Sequence, residues 1–200
     1  MFMLAGPNGA GKSTLYETVI GPRLTAPFIN ADLIQRNELR DASMTAAYRA
    51  AAIAERRRRE LLQRRRSFVS ESTFSHPSKL ELVHEAQAAG FRIVMFHVSV
   101  DQARLSVSRV AQRVTEGGHD VPQAKILERF ERNQPLIRQA VLLADQAFVY
   151  DNSRLNVAPQ RTIAFRNGAV ISTSPPIVAW AARLYRAELL QFEHDGGRPG

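Results

Sequence analysis

A mainly parallel β-sheet with helices on both faces is the fold class that this 200-residue sequence predicts, on three observations. Apolar runs of strand length alternate with longer stretches of helical periodicity, the pattern of a doubly wound α/β domain. Residues 91–100 (FRIVMFHVSV) form a nearly continuous apolar run, as a central strand covered on both sides requires. Near the start, a short apolar run passes through a glycine-rich turn into a helical stretch, the setting of a phosphate-binding loop.

That first run is Met1-Phe2-Met3-Leu4-Ala5. The turn after it, Gly6-Pro7-Asn8-Gly9-Ala10-Gly11-Lys12-Ser13, fits G-x-x-x-x-G-K-[ST] at every fixed position, the P-loop pattern. Glycines let backbone N–H groups close around phosphate oxygens, where a Cβ would obstruct the approach. The helix starting near Lys12, with Leu15 and Val19 on one face, turns its positive dipole end to the same phosphates. Lys12 brings a full charge to the β- and γ-phosphates, and the Ser13 hydroxyl is a ligand for Mg²⁺. Residues 6–14, ending with Thr14, are therefore expected to bind ATP or GTP with Mg²⁺.

A second strand is expected at Pro27-Phe28-Ile29-Asn30. Asp32, just past its end, lies where parallel sheets bind ligands and also reads as a helix cap before Leu33-Ile34. A helix rich in Ala, Arg, Glu and Leu runs from Ser43 to about Arg66, with Ala47, Ala50, Ala51 and Ala54 as its apolar face. Residues 67–74 give a third strand with Glu71 at its exit. Pro77 opens the next helix, with Leu80, Val83 and His84 on one face and Gly90 ending it. After the central strand, helices are expected at about 101–116 and 120–143, separated by Gly117-Gly118-His119. Residues 147–150 form a further strand ending at Asp151-Asn152-Ser153. Two more strands flank Arg166-Asn167-Gly168, whose Asn-Gly marks a hairpin. A last helix over about 176–192 carries the sole tryptophan, Trp180, as core. Residues 1–193 make one domain and 194–200 a frayed tail.

The two helices around Gly117-Gly118 present arginines in register. In the first, Val107, Val110, Ala111 and Val114 make the apolar stripe, while Arg109, Gln112, Arg113 and Glu116 share another face. In the second, Ile126, Leu127, Phe130 and Ile137 are the apolar set, with Lys125, Arg129 and Arg132 on the polar side. Such a pair can serve as a lid (residues about 101–143) over a triphosphate, where guanidinium fits phosphate bidentately. Solvated surface helices are the alternative. His119 is assigned to the turn.

Cysteine is absent, which excludes disulfides, zinc–thiolate sites and thiol catalysis. No apolar run approaches the roughly 18 residues of a membrane span, and the opening strand leaves no room for a signal peptide, so a cytoplasmic protein is expected. The net charge of +8 raises nucleic-acid binding. Seven arginines, however, fall at 56–59 and 64–66 of one helix, pointing in all directions rather than along one groove-facing stripe. A solvated helix end or an acidic protein partner is favoured over nucleic acid.

The motifs together resemble the zeta toxin family in its short form, without an N-terminal antitoxin segment. The matching pieces are AGPNGAGKST (5–14), FINAD (28–32), SESTFS (70–75), RVAQRVTEGGHDVP (109–122) with ILERF (126–130), and VYDNS (149–153). The resemblance implies an ATP-dependent kinase for the 3′-hydroxyl of the sugar in UDP-N-acetylglucosamine. It implies Lys12 and Ser13 as holders of ATP and Mg²⁺, and Asp32 as general base. Glu71 and Thr73 would bind the acceptor, and Arg113 and Arg129 the transferring phosphate, with Arg109 and Arg132 as competitors. Glu71 is an alternative base, and Asp151 a third candidate better suited to a turn. A toxin would need a separate antitoxin protein. Two other readings stand beside this one: a P-loop kinase for another small hydroxyl (a nucleoside, sugar acid or antibiotic), and a nucleic-acid-associated ATPase docking through residues 56–66.

Overall fold

The computed structural model describes residues 1–115 and 122–197, and of residues 113–115 the backbone alone. Among these residues, seven strands form one sheet in the order β2-β3-β1-β4-β5-β6-β7. Strand β1 (Phe2–Ala5) lies parallel between β3 (Val69–Ser72) and β4 (Val94–Ser99), with Phe2 opposite both Val69 and Val94. Strand β2 (Phe28–Ile29) flanks β3, and β5 (Gln146–Asp151) flanks β4, both in parallel. The antiparallel strands β6 (Gln160–Arg166) and β7 (Ala169–Thr173) complete the sheet. Their two-residue turn, Asn167 (φ 50°) and Gly168 (φ 78°), has the left-handed backbone that the Asn-Gly pair predicts.

Side chains alternate across this sheet. Met3, Ala5, Met95, Ala147 and Val149 pack into the core on one face. Leu4, Val98 and Tyr150 face the other, against Leu15 and Ile20. The latter two come from helix α1 (Lys12–Leu15), which continues as a π-helical turn over Tyr16–Ile20. Covering the first face are α3 (Met44–Gln63), α4 (Ser78–Ala88), α6 (Gln123–Leu143), α7 (Ala179–Leu184) and α8 (Arg186–His194). Two further α-helices are α2 (Ala31–Leu33, extended by a π turn over Ile34–Leu39) and α5 (Ala103–Thr115). Helices on both faces of a mostly parallel sheet make this the α/β P-loop fold that the sequence predicts.

Several helix faces differ from the expected ones. The buried row of α3 is Ala46, Ala50, Ala54, Arg58 and Leu62, a strict four-residue repeat that leaves Ala51 exposed. Ser43 caps this helix by accepting from the Ala46 N–H. In α4, Leu82, Val83 and Ala86 are buried and His84 is exposed, because the core lies one position further round. Among the described side chains of α5, Ser106 and Val110 are buried and Ala111 is exposed. Leu127 of α6 is likewise exposed, while Asn133 is buried. The last helix is two helices: Tyr185 leaves helical geometry at φ −108°, ψ 26°, and its buried hydroxyl meets His97 Nδ1 at 2.8 Å. Four of the clustered arginines have acidic partners: Arg56 with Glu60, Arg57 with Glu38, and Arg58 and Arg59 with Glu55.

Candidate active site

The carboxyl ends of β1, β2, β3 and β5 open onto one cavity of about 570 Å³, and the glycine-rich loop forms its floor. Gly9 (φ 74°) and Gly11 (φ 88°) take left-handed conformations on either side of Ala10. The close fit demands glycine as well. A Cβ on Gly9 would run into the Ser106 backbone of α5, and one on Gly11 into the Asn152 side chain. Lys12 is buried, and its Nζ donates to the carbonyls of Gly6 (3.1 Å) and Pro7 (3.2 Å). Alternating backbone of this kind turns successive N–H groups into one concavity, the anion-binding nest. Ser13, Thr14 and Thr18 line the cavity beside it.

Two carboxylates face the loop. Glu71, at the exit of β3, has a side chain only 11% exposed and places Oε1 3.7 Å from Lys12 Nζ. Its Oε2 accepts from Asn30 Nδ2 at 2.7 Å. Burial pushes the Glu71 carboxyl above its usual range; Lys12 pulls it back, neighbouring Asp32 pushes it further up, and hydrogen bonds from Asn30 and Lys12 lower it. Asp32 lines the cavity from the first turn of α2 and is exposed. The capping role falls to Asn30, whose Oδ1 accepts from the Leu33 N–H at 3.1 Å. Asp32 is thus left free of that duty. Thr73 also lines the cavity, and its carbonyl accepts from Asn133 Nδ2 of α6 at 2.6 Å.

The arginines divide. Arg109 of α5 reaches the cavity, with its Nη1 buried and without a hydrogen-bond partner among the described residues. Burial lowers its pKa, and Asp151 opposes that shift. Arg129 and Arg132 of α6 are not among the cavity's lining residues. Arg132 instead pairs with Glu128 at 2.6 Å. The side chain of Arg113 and all of Glu116, Gly117, Gly118 and His119 lie outside the described residues. Asp151 has a turn role: it accepts from Trp180 Nε1 (2.8 Å) and Ser153 Oγ (2.6 Å). Among the described residues no three acidic or imidazole groups gather as a metal cluster.

Sequence reasoning missed the remaining wall. Asn152, and the loop from Arg154 through Leu155 and Val157 to Ala158, close the cavity beyond β5. Asn152 Nδ2 donates to the Ala10 carbonyl at 3.0 Å, across 142 residues of sequence. Its position just past a parallel strand was the available signal. Residues 154–158 have no periodicity to betray them.

Residues 1–136 match the family model described as an AAA domain. The chain belongs to that AAA domain family. Among curated proteins none matches it. Solved structures similar to this AAA domain chain are remote in sequence. A chain of the AvrRxo1-ORF1:AvrRxo1-ORF2 complex, crystallised with sulphate ions, has 14% identity and a TM-score of 0.66 over 94% of this chain and 62% of its own length. The same complex with ATP gives 14% and 0.65, with the same coverage. The PezAT chromosomal toxin–antitoxin system of Streptococcus pneumoniae gives 12% and 0.62 over 97% of this chain and 86% of that one. This AAA domain chain thus spans about three-fifths of the AvrRxo1 chain, and at these identities what is shared is the fold. Among the described residues no helix is long and apolar enough to cross a membrane.

Proposed function

We propose that the protein is an ATP-dependent phosphotransferase that moves the γ-phosphate to a hydroxyl of a small molecule, with UDP-N-acetylglucosamine or a similar nucleotide sugar as acceptor. One observation carries the reading: Lys12 in its glycine cradle shares a single cavity with two carboxylates, Asp32 and Glu71, and with the guanidinium of Arg109. The exposed carboxylate of Asp32 lies on the cavity wall where an acceptor hydroxyl would approach the phosphates. The nest at Gly9 and Gly11, where a Cβ would collide, suits a polyphosphate, as does Arg109, whose Nη1 has no hydrogen-bond partner among the described residues. The Ser13 hydroxyl, in the cavity lining, would help to hold Mg²⁺, which when bound would offset the negative charge of the phosphates.

In the reaction, Asp32 accepts the acceptor's O–H proton while that oxygen attacks the γ-phosphorus. The bond to the β-phosphate oxygen breaks and ADP leaves. Lys12 and Arg109 stabilise the charge spreading over the transferred group, with Arg113 and Arg129 as further contributors. Glu71 and Thr73 hold the acceptor. Asp32 is favoured as base because it is exposed to the cavity, whereas Glu71 is engaged by Asn30 and Lys12. The choice of a nucleotide sugar rests on the zeta toxin resemblance. The two-component complexes among the structural relatives support a separate antitoxin protein as partner and, with ATP as donor, a cytoplasmic setting. Nucleic acid is disfavoured, since Arg56 to Arg59 are matched by glutamates.

The test is a transfer assay with ATP, Mg²⁺ and UDP-N-acetylglucosamine, read by mass spectrometry. A monophosphorylated nucleotide sugar is expected, absent with Lys12→Ala and reduced about 10²–10⁴-fold with Asp32→Ala. Equal loss with Glu71→Gln and full activity of Asp32→Ala would make Glu71 the base. ATP turnover without transfer to this sugar would move the assignment to another hydroxyl. Toxicity on expression that survived both Lys12→Ala and Asp32→Ala would refute a kinase toxin.

A further inference from the structure

We infer that Asn152, next to Asp151 and its bond to Trp180, is a positioning residue that holds the phosphate loop in its binding shape, so that helix α7 governs nucleotide affinity without touching the cavity. This rests on the nucleotide-binding reading above. It concerns residues beyond the AAA domain match, which ends at residue 136.

A nest works only while its N–H groups point inward and its carbonyls outward. Ala10 sits between two left-handed glycines and is fully buried. Its outward carbonyl therefore needs a donor from the protein, because a buried carbonyl without one is costly. Asn152 Nδ2 is that donor, at 3.0 Å. The same side chain lies against Gly11, on the face where a Cβ would stand. Without this contact the peptide between Ala10 and Gly11 is free to rotate, which would turn a carbonyl toward the phosphates.

The clamp is itself held from behind. Asn152 N–H donates to the Ser99 carbonyl at 2.9 Å, which extends the β4–β5 pairing by one residue. Beside it, Asp151 Oδ1 accepts from Trp180 Nε1 and from Ser153 Oγ. Ser153 Oγ in turn accepts from the Asp101 N–H at 2.8 Å, tying the turn to the approach to α5. Trp180 is 5% exposed and packs edge-on to His97, with ring centroids 5.2 Å apart. Asp151 also supplies the negative charge that offsets the burial of Arg109. One turn thus sets both the floor of the cavity and a cation on its wall.

The experiment measures the affinity of the full chain for ATP and for inorganic tripolyphosphate, with melting temperatures alongside. Asn152→Ala is expected to weaken both ligands by about tenfold, the loss of one buried hydrogen-bond partner. Asn152→Asp should weaken them further, by setting a carboxylate oxygen against the Ala10 carbonyl. Trp180→Phe should weaken both about threefold, although Trp180 does not line the cavity. Leu189→Ala, in the buried part of α8, is the control: it should lower the melting temperature and leave both affinities as in the wild type. In the transfer assay, the Trp180→Phe effect should appear in KM for ATP and not in KM for the acceptor. Wild-type affinities in Asn152→Ala would overturn the inference. So would equal weakening by Leu189→Ala and Trp180→Phe, which would make the effect one of general stability. If the wild type binds neither ligand, the nucleotide-binding reading itself fails.

Discussion

Lys12 Nζ and Glu71 Oε1 stand 3.7 Å apart, bringing together the turn after β1 and the exit of β3. The pair is adjacent in space because β1 and β3 are sheet neighbours in register, Leu4 opposite Glu71. The lysine keeps its other contacts, to the Gly6 and Pro7 carbonyls, so Glu71 is held by a charge that is itself shared. Burial outweighs that attraction and raises the Glu71 carboxyl.

A pH dependence results. With its folded pKa above the ordinary 4.5, Glu71 keeps its proton in the native state at pH values where the unfolded chain has released it. Its contribution to stability is full below pH 4.5 and is lost as pH rises through the folded value. Glu71→Gln should remove this slope. Thermal melts from pH 4 to pH 8 are expected to show the variant gaining on the wild type as pH rises.

His97 has the opposite sign. It is fully buried beneath Trp180 and Tyr185, and burial lowers its pKa from 6.5 to about 3. The native state holds it neutral while the unfolded chain binds a proton, so stability is full above pH 6.5 and falls as pH drops toward 3. At pH 5 the loss amounts to about 2 kcal/mol. His97→Gln should flatten this acid limb in melts between pH 7 and pH 4, whatever its effect at pH 7.

Gly11→Ala is expected to abolish nucleotide binding. The new methyl meets Asn152 Nδ2, and the backbone at φ 88° disfavours any L side chain by about 1 kcal/mol. Adding Asn152→Ala relieves the collision and leaves the backbone cost, so titration with ATP should show at most a partial return.

The arginine cluster should divide under substitution. Arg57→Ala removes a surface pair with Glu38 and should leave the melting temperature nearly unchanged. Arg58 is 6% exposed in the buried row of α3. Arg58→Ala deletes packing and a charge partner of Glu55, and should cost about 2 kcal/mol in denaturant unfolding.

Much of this site was legible because its residues sit at strand ends that motifs mark. The loop at 6–13, Asp32, Glu71 and Thr73 all follow short apolar runs, and a parallel sheet gathers such exits. Arg109 was legible by helical spacing. Asn152 was marked only by its place just past a parallel strand; its partner, a carbonyl 142 residues away, is encoded in no local pattern. The helix faces show the same limit. On α3 and α5 the buried side is set by what packs against it, so Ala46 and Ser106 are buried where spacing alone favoured Ala47 and Ala111. The single C-terminal helix was a reasonable periodic pattern, broken by the fit of Tyr185 into the core.

Helix α6 is pinned at adjacent residues: Asn133 to the Thr73 carbonyl and Gln134 to Ser99 Oγ, at the exits of β3 and β4. Those two bonds tie the middle of the helix to the strand exits, and buried Ile126 seats its amino-terminal part. The arm on the amino-terminal side, from Gln123 to the pin, is about 15 Å long at 1.5 Å per residue. Arg129 therefore lies about 6 Å along the axis from the pinned Asn133, and Lys125 about 12 Å, so the two cations reach different depths of the same side.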